Sequence, residues 1–193
     1  MSLFDKIAWE VYLESLKNNV FPISYSVARL LYMIAYLVSI RQKDVCVVEV
    51  GTGYGFSTLW LAKGLADANS NGIVYSFDVR SDRIEVAERY VRRAGLDKYV
   101  RFFKCNFLEC LKDIQVEHID LAFIDGRKDE YVAYLRALLP YLRKGSILIA
   151  HNVISPSPHK VSKFLELILN KPWVTIITQL DYGGVSISIM THE

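Results

Sequence analysis

The stretch Val45-Cys46-Val47-Val48-Glu49-Val50-Gly51-Thr52-Gly53-Tyr54-Gly55-Phe56-Ser57-Thr58-Leu59-Trp60-Leu61-Ala62 restricts the fold more than any other part of the chain. Its β-branched run leaves no room for a solvated face and predicts a strand covered on both sides. Three glycines at alternate positions then lead into an amphipathic stretch, which predicts a tight turn and a helix start. Glycines at 51, 53 and 55 let the backbone take positive φ and come close to a ligand, while the first turn of the helix offers it unpaired N–H groups. The result is a cradle of the kind that holds nucleotides. The spacing is Gly-x-Gly-x-Gly with Phe at 56, so it departs from the Gly-x-Gly-x-x-Gly that seats a dinucleotide pyrophosphate. A plain β–α turn would read the same from its glycines alone. Glu49 sharpens the reading, because a carboxylate at the end of an apolar strand is costly unless a donor or cation meets it.

At 193 residues the chain is expected to form one domain, a helical segment over 1–44 followed by an α/β core over 45–193. A net charge of +2 with interspersed signs gives no broad basic field, which disfavours nucleic acid as an obligatory partner. Cys46, Cys105 and Cys110 are odd in number, and their spacing predicts neither a disulfide framework nor a metal clip; a reducing cytoplasm fits that usage. The opening Met-Ser-Leu-Phe-Asp lacks the basic and apolar regions of a signal and reads as ordinary fold. The run from Leu30 to Ile40 is apolar but too short to span a bilayer, and reads as a core helix, so no membrane partner is expected.

Helical spacing predicts helices over residues 3–17 and from a Ser24 cap to about Ile40. Strands are predicted over 45–50, 73–77, 100–104, 119–124, 146–150, 173–177 and 185–190. Helices over 56–68, 82–94, from after Asp125 to about Leu139, and 159–169 lie between them. This alternation predicts a mainly parallel sheet of seven strands with helices on both faces. Parallel strands present their carboxyl ends at one edge. Glu49 with the Gly51–Gly55 turn, Asp78, Asn106, Asp125 and His151-Asn152 should therefore meet on one crevice. Asp78 ends the second strand, where a carboxylate can accept both hydrogen bonds from a ribose diol or can cap the helix that follows. A nucleoside derivative is the expected ligand. Arg83, Arg89, Arg92 and Arg93 alternate with apolar residues at core spacing, which reads as a solvated helix face rather than a nucleic-acid patch.

Glu49-x-Gly51-x-Gly53-x-Gly55-x-Ser57 followed by Phe77-Asp78 resembles the cofactor site of class I S-adenosylmethionine-dependent methyltransferases. Phe123-Ile124-Asp125-Gly126-Arg127-Lys128-Asp129-Glu130-Tyr131 and Leu142 through Ile154 are similar to the metal and catalytic segments of the catechol and caffeoyl-CoA type O-methyltransferases. The resemblance covers about residues 45–155 and implies a Rossmann-like, doubly wound sheet. It further implies that Glu49, Gly51, Thr52, Gly53, Gly55 and Ser57 line the methionine part of the cofactor, that Asp78 holds the ribose, that Asn106 and Phe107 border the adenine, and that Asp125 adjoins the cofactor. Asp125 matches the family's first metal ligand, Asn152 its last and Lys128 its general base. His151 departs from the pattern, which has Asp there. Gly126 and Arg127 replace larger or aromatic residues of the catechol enzymes.

Methyl transfer is an in-line displacement at a sulfonium carbon, so the protein must align the acceptor oxygen and help it lose its proton. Magnesium favours oxygen ligands, whereas an imidazole suits manganese, iron or zinc; His151 thus predicts a softer metal or none. His151 can equally be the base of a metal-free reaction, since imidazole titrates near neutrality, or a hydrogen-bonded loop residue. Lys128 can be the base or a solvated lysine at a helix start. The expected activity is O-methylation of a small phenol-like or catechol-like acceptor with S-adenosylmethionine, with or without a divalent cation. A methyltransferase acting on RNA or protein, and a non-catalytic binding module, remain as alternatives. The resemblance also implies a homodimer, for which the 3–17 segment offers an oligomer surface, a lid over the acceptor, or simply core. The acceptor pocket is expected from the N-terminal segment, the loops after Asn152 and Asp181-Tyr182-Gly183-Gly184.

Overall fold

The structure is a computed structural model that describes residues 1–192. Two helices precede the sheet. Helix α1 (Leu3–Lys17) starts in a reciprocal cap, in which the Ser2 hydroxyl accepts from the Asp5 amide and the Asp5 carboxylate accepts from Ser2. Helix α2 (Tyr25–Arg41) starts at Ser24, whose hydroxyl accepts from the Val27 amide. Then follow β1 (Cys46–Val50), α3 (Phe56–Asp67), β2 (Ile73–Phe77), α4 (Ser81–Arg93), β3 (Val100–Phe103), the single turn α5 (Phe107–Cys110), β4 (Ile119–Ile124), α6 (Tyr131–Leu138), β5 (Leu142–His151), α7 (Pro158–Ile168), β6 (Trp173–Thr178) and β7 (Val185–Met190).

The seven strands form one sheet in the order β3-β2-β1-β4-β5-β7-β6, as the alternation predicts. β1 to β5 are parallel; β7 runs antiparallel to β5, and β6 antiparallel to β7. The strand order reverses between β1 and β4, where successive crossovers leave for opposite faces and a crevice opens beyond the carboxyl ends. Side-chain alternation along β1 sends Val47 to the layer of α1, α2 and α3, and Val48 and Val50 to the layer of α6 and α7. Every residue of β1 and β4 is buried, which is why these strands read as unbroken apolar runs.

The 3–17 segment is a working part of the core. Ile7, Ala8 and Val11 are buried, and Phe4 meets Trp60 of α3 edge-on at 5.1 Å. Its outer side is tied to α4: Glu14 accepts from Arg89 at 2.9 Å and from the Tyr90 hydroxyl, and Glu10 accepts from Arg93 at 2.6 Å. Two of the four arginines of α4 therefore face acids of the same chain.

Three expectations need correction. Cys105 and Cys110 are joined in a disulfide: α5, capped by the Asn106 side chain, folds the chain back and leaves their Cα atoms 6.5 Å apart. Spacing alone predicts no such pair, because a four-residue helix has no periodicity to detect. Strand β5 begins at Leu142 rather than 146, since Arg143, Lys144 and Gly145 are exposed and carry no apolar pattern. The segment after Asp125 is a 3-10 turn over Lys128–Glu130 before α6 begins. Among the described residues no helix is long and apolar enough to cross a membrane.

Candidate functional site

The Gly51–Gly55 turn is built by strict demands on its backbone. Gly51 has φ of +100°, and its amide donates to the carbonyl of Phe77 at 2.9 Å, which draws the ends of β1 and β2 together. Gly55 caps α3 at φ +86°, where an added Cβ would stand 2.8 Å from the Cβ of Ala87, so its bareness lets α3 pack on α4. Between them the Gly53 amide donates to Asp78 Oδ2 at 2.9 Å, while Asp78 Oδ1 accepts from the Arg80 amide at 3.0 Å. Asp78 thus fixes the turn and keeps lone pairs for a ligand; a carboxylate offers about four.

Glu49 lies beneath the turn rather than on the cleft wall. It shares its strand face with Val47 and is fully buried, and Oε2 accepts from the hydroxyls of Thr58 and Ser76 at 2.5 Å each. Ser76 continues the chain to Thr52 at 2.6 Å. Oε1 is buried without a partner. Burial pushes the Glu49 carboxyl up to about 7 against the pull of the Ser57, Ser76 and Thr58 hydroxyls.

Across the sheet reversal, Asp125, Lys128 and His151 form one cluster. Lys128 Nζ donates to Asp125 Oδ1 at 3.1 Å, to the Gly126 carbonyl at 3.2 Å and to the Tyr131 hydroxyl at 2.9 Å, so all three of its N–H bonds have acceptors. The buried Tyr131 hydroxyl in turn donates to the His151 carbonyl at 2.8 Å, joining the Lys128 turn to the end of β5. The His151 ring lies between two carboxylates. Nε2 is 3.0 Å from Asp181 Oδ2, and Nδ1 is 3.3 Å from Asp125 Oδ1 but out of line for a hydrogen bond. Burial works against the imidazolium, and the two carboxylates outweigh it and raise His151. Burial likewise works to raise Asp125, and His151 and Lys128 outweigh it and hold its carboxyl below the ordinary range. Asn152 follows in the left-handed region at φ +55°, which Asn tolerates better than most residues, with its amide nitrogen against Gly183. Asp125, His151 and Asn152 share one wall, with His151 Nδ1 buried and unpaired beside the carboxylate, and a divalent cation of mixed nitrogen and oxygen preference could be held there once the ring has lost its second proton. Among the described residues no three His, Cys, Asp or Glu side chains converge on one point, so the remaining positions would fall to water or a bound molecule.

Two adjoining cavities run along this edge. One of about 530 Å³ is lined by Gly51, Thr52, Gly53, Ser57, Asp78, Asp125, His151 and Asn152 on the sheet side. Tyr12, Ser15, residues 19–24 and Asp181-Tyr182-Gly183 close it from above, so both the N-terminal segment and the loop between β6 and β7 reach it. The other, about 360 Å³, is lined by Gly51, Phe77, Asp78, Val79, Asn106, Phe107, Asp125 and Tyr134. Gly51, Asp78, Arg83 and Asp125 border both. The crevice thus gathers Gly51, Thr52, Gly53, Ser57, Asp78, Asn106, Phe107, Asp125, His151 and Asn152. Glu49 is behind its wall, and Gly55 and Lys128 stand next to it. Arg83, Tyr12 and the contact of Asp181 with His151 were not foreseen. The Asp181 loop borders the pocket as expected, but its contact with His151 has no local signal, since only the antiparallel return of β7 brings that loop to the end of β5.

A profile of the family described as "Methyltransferase domain" matches residues 48–153. A catechol O-methyltransferase of Mycobacterium tuberculosis is 35% identical over 108 residues, 56% of this chain and 48% of that protein. A catechol O-methyltransferase of Niastella koreensis is 31% identical over 111 residues, 56% of this chain and 49% of its own length. The chain thus spans about half the length of the curated relatives it matches. Among solved structures, an O-methyltransferase from Bacillus cereus in complex with SAH superimposes with a TM-score of 0.82 at 22% identity, covering 96% of this chain and 91% of that one. That likeness extends over the helical segment as well as the sheet and is one of fold.

Proposed function

Because the chain belongs to the methyltransferase domain family, we propose that it transfers a methyl group from S-adenosylmethionine to an oxygen of a small-molecule acceptor. The observation that carries this reading is the continuous crevice at the sheet reversal, with the Gly51–Gly55 turn and Asp78 on one side and Asp125, His151 and Asn152 on the other. The catechol O-methyltransferase names of the matched relatives and the SAH bound to the Bacillus cereus protein support it.

In this reading the 360 Å³ cavity takes the adenine, against Phe107 and Asn106, and Asp78 between the cavities accepts from the ribose hydroxyls. The methionine part follows the backbone of Gly51, Thr52 and Gly53 to Ser57, and the sulfonium methyl faces the 530 Å³ cavity. Glu49 acts from below, through Ser76 and Thr52, by holding the turn. The acceptor enters beside Tyr12, Ile23 and Tyr182, whose rings and methyls suit a flat, apolar molecule with one polar edge. A divalent cation held by Asp125, His151 and Asn152 would lower the pKa of the acceptor hydroxyl. Lys128 takes the proton of that hydroxyl after passing one of its own three N–H protons to water, and the oxygen then displaces the sulfur in line, which leaves as the neutral thioether. Tyr131 and the Gly126 carbonyl keep the Lys128 nitrogen at the rim.

We take residues 1–193 as one methyltransferase domain that pairs as a homodimer. Among the described residues, Arg83 is the one Lys or Arg that lines the 530 Å³ cavity, which favours a small acceptor over RNA. Isothermal titration with S-adenosylhomocysteine, followed by tritiated methyl transfer to a panel of catechols, phenols and carboxylates, tests the reading. Saturable binding and a labelled ether or ester are expected. Absence of cofactor binding would refute it.

A further inference from the structure

A disulfide stands at the rim of the 360 Å³ cavity, where the reading above seats the adenine. It joins Cys105, the residue before the Asn106 cap, to Cys110, the last residue of α5, and so encloses residues 106–109. Asn106 and Phe107 in that loop line the cavity beside Cys105 itself. A helix as short as α5 cannot hold its own shape in water, so its position depends on what fixes it from either side. On the inner side the Phe107 ring lies edge-on to Phe77 at 5.2 Å and to Tyr134 at 5.6 Å, and Leu111 and Ile114 are buried with it. On the outer side Asn106 Oδ1 accepts from the Leu108 amide at 3.0 Å, and the disulfide closes the loop around that cap. Both of these cysteines are half-buried and open to solvent. The third, Cys46, is buried in β1 with its thiol pushed up to about 12 by burial, which leaves it out of any exchange that needs a thiolate.

We propose that Cys105 and Cys110 form a thiol-exchange site for small thiols of the glutathione class, and that the state of their bond sets how tightly the adenine cavity takes its ligand. The coupling rests on the methyltransferase reading for the identity of that ligand; the exchange site is defined by the two cysteines alone. The thiolate of the small molecule attacks the sulfur of Cys105, the cysteine that borders the cavity. A mixed disulfide forms there, the Cys105–Cys110 bond breaks, and the Cys110 sulfur leaves as a thiolate. A second small thiolate attacks the outer sulfur of the mixed disulfide and releases the Cys105 thiolate together with the small-molecule disulfide. Two electrons thus pass from two small thiols to the cysteine pair, the two protons those thiols lose end on the cysteines, and the reverse steps restore the bond. Closing so short a loop constrains the unfolded chain less than closing a long one, so the fold as a whole depends little on it. Phe107, Leu111 and Ile114 keep the turn docked after reduction, while the Asn106 side of the loop is released. A ligand that must order that side again binds more weakly. By linkage the dependence runs both ways: a ligand that favours the closed loop makes the bond harder to reduce by the same factor, about 30 mV for each tenfold.

The test uses the full chain. It is equilibrated with graded mixtures of reduced and oxidised glutathione, and free thiols are alkylated in denaturant and located by mass spectrometry, with Cys46 as the constant reference. Calorimetry measures S-adenosylhomocysteine binding to the oxidised and the reduced chain, and circular dichroism follows the fold of both. Cys105 and Cys110 should become alkylated together as the mixture grows more reducing, with the circular dichroism unchanged. Reduction should raise the Kd for S-adenosylhomocysteine roughly 3–10-fold, the effect of having to order one further side chain on binding. Saturating S-adenosylhomocysteine should move the midpoint of the glutathione titration toward reducing mixtures by the same factor. A chain carrying both Cys105→Ser and Cys110→Ser should bind like the reduced form in every mixture, and Cys46→Ala should keep the full response. A Kd that changes less than threefold between the two states, free thiols at Cys105 and Cys110 in the most oxidising mixture, or loss of the fold on reduction would overturn the proposal. Absence of S-adenosylhomocysteine binding in both states would refute the methyltransferase reading and with it the coupling. The glutathione titration then decides the exchange site alone: joint, reversible alkylation of Cys105 and Cys110 supports it, and alkylation of both in every mixture overturns it.

Discussion

The backbone of Gly51 lies against the carbonyl of Asp125, so close that a Cβ at position 51 would stand 2.5 Å from that oxygen. β1 and β4 are neighbours in the sheet, and the Asp125 amide also donates to the Val50 carbonyl at 2.8 Å. The turn that cradles one side of the crevice and the acid that opens the other are therefore held at contact distance by main chain alone.

Gly51→Ala should consequently cost more than its backbone angle. The positive φ accounts for roughly 1–2 kcal/mol, and forcing Asp125 away adds roughly 1–3 kcal/mol. Gly95 also has positive φ, with nothing within 4 Å of an added Cβ, so Gly95→Ala should show the backbone cost alone. Urea unfolding of the two variants against wild type measures the difference. Equal losses would mean that the chain yields freely at Asp125.

Asp78→Ala should weaken binding of S-adenosylhomocysteine by roughly 1–3 kcal/mol, the penalty for leaving hydrogen-bonding groups unpaired in a closed site. The corresponding increase in Kd is roughly 5–150-fold. The variant also releases the Gly53 and Arg80 amides, so a companion Arg80→Pro change, which removes one of those amides and leaves the carboxylate, separates the two effects. Calorimetry decides: a Kd within twofold of wild type for Asp78→Ala would leave this carboxylate a purely local role.

Much of this geometry was legible in the chain because its signals are local. A buried strand needs an unbroken apolar run, as at 46–50 and 119–124, and parallel strands must end at one edge, so Asp78, Asp125 and His151 could be placed together without coordinates. Glu49 shows where that logic stops short. Its position in the strand was clear, but alternation puts it on the face of Val47, under α3, and only the hydroxyls of Thr58 and Ser76 reveal how the buried carboxylate is met. The loop of Asp181 is placed at the acceptor pocket by the sequence, but its contact with His151 is not, because it arises through an antiparallel hairpin, a long-range pairing that leaves no spacing rule. The disulfide between Cys105 and Cys110 was missed for a similar reason, since it depends on one capped turn.

Lys128→Met should reduce kcat by roughly 10²–10⁴-fold, the usual share of a positioned base, while S-adenosylhomocysteine binds as in wild type. Lys128→Arg should not restore turnover, because a guanidinium keeps its proton. The contacts of Lys128 with Asp125 and Tyr131 give a structural role an alternative signature, namely lost thermal stability in the Met variant and its recovery in the Arg variant. Steady-state kinetics with scanning calorimetry on both variants distinguishes the two roles, and turnover by Lys128→Arg near the wild-type rate would exclude lysine as the base.

Glu49 carries a pH dependence whose sign follows from its burial. An exposed glutamate titrates near 4.5, and this one is pushed up to about 7. Between those values the folded chain holds a proton that the unfolded chain has released, so unfolding releases the proton and stability falls as pH rises through the window, levelling above it. The full change is on the order of 3 kcal/mol for this group. Other acids act in the opposite sense, since Asp125 and Asp181 are held below the ordinary range and lose their contribution only as pH falls through it. Glu49→Gln removes the titration and keeps an oxygen for Thr58 and Ser76. The difference in unfolding free energy between wild type and Glu49→Gln, measured in urea at pH 5 and pH 8, should therefore shift in favour of the variant at the higher pH. Parallel pH profiles would show that Glu49 stays ionised in the folded chain, with the polar hydroxyls of α3 and β2 compensating its burial in full.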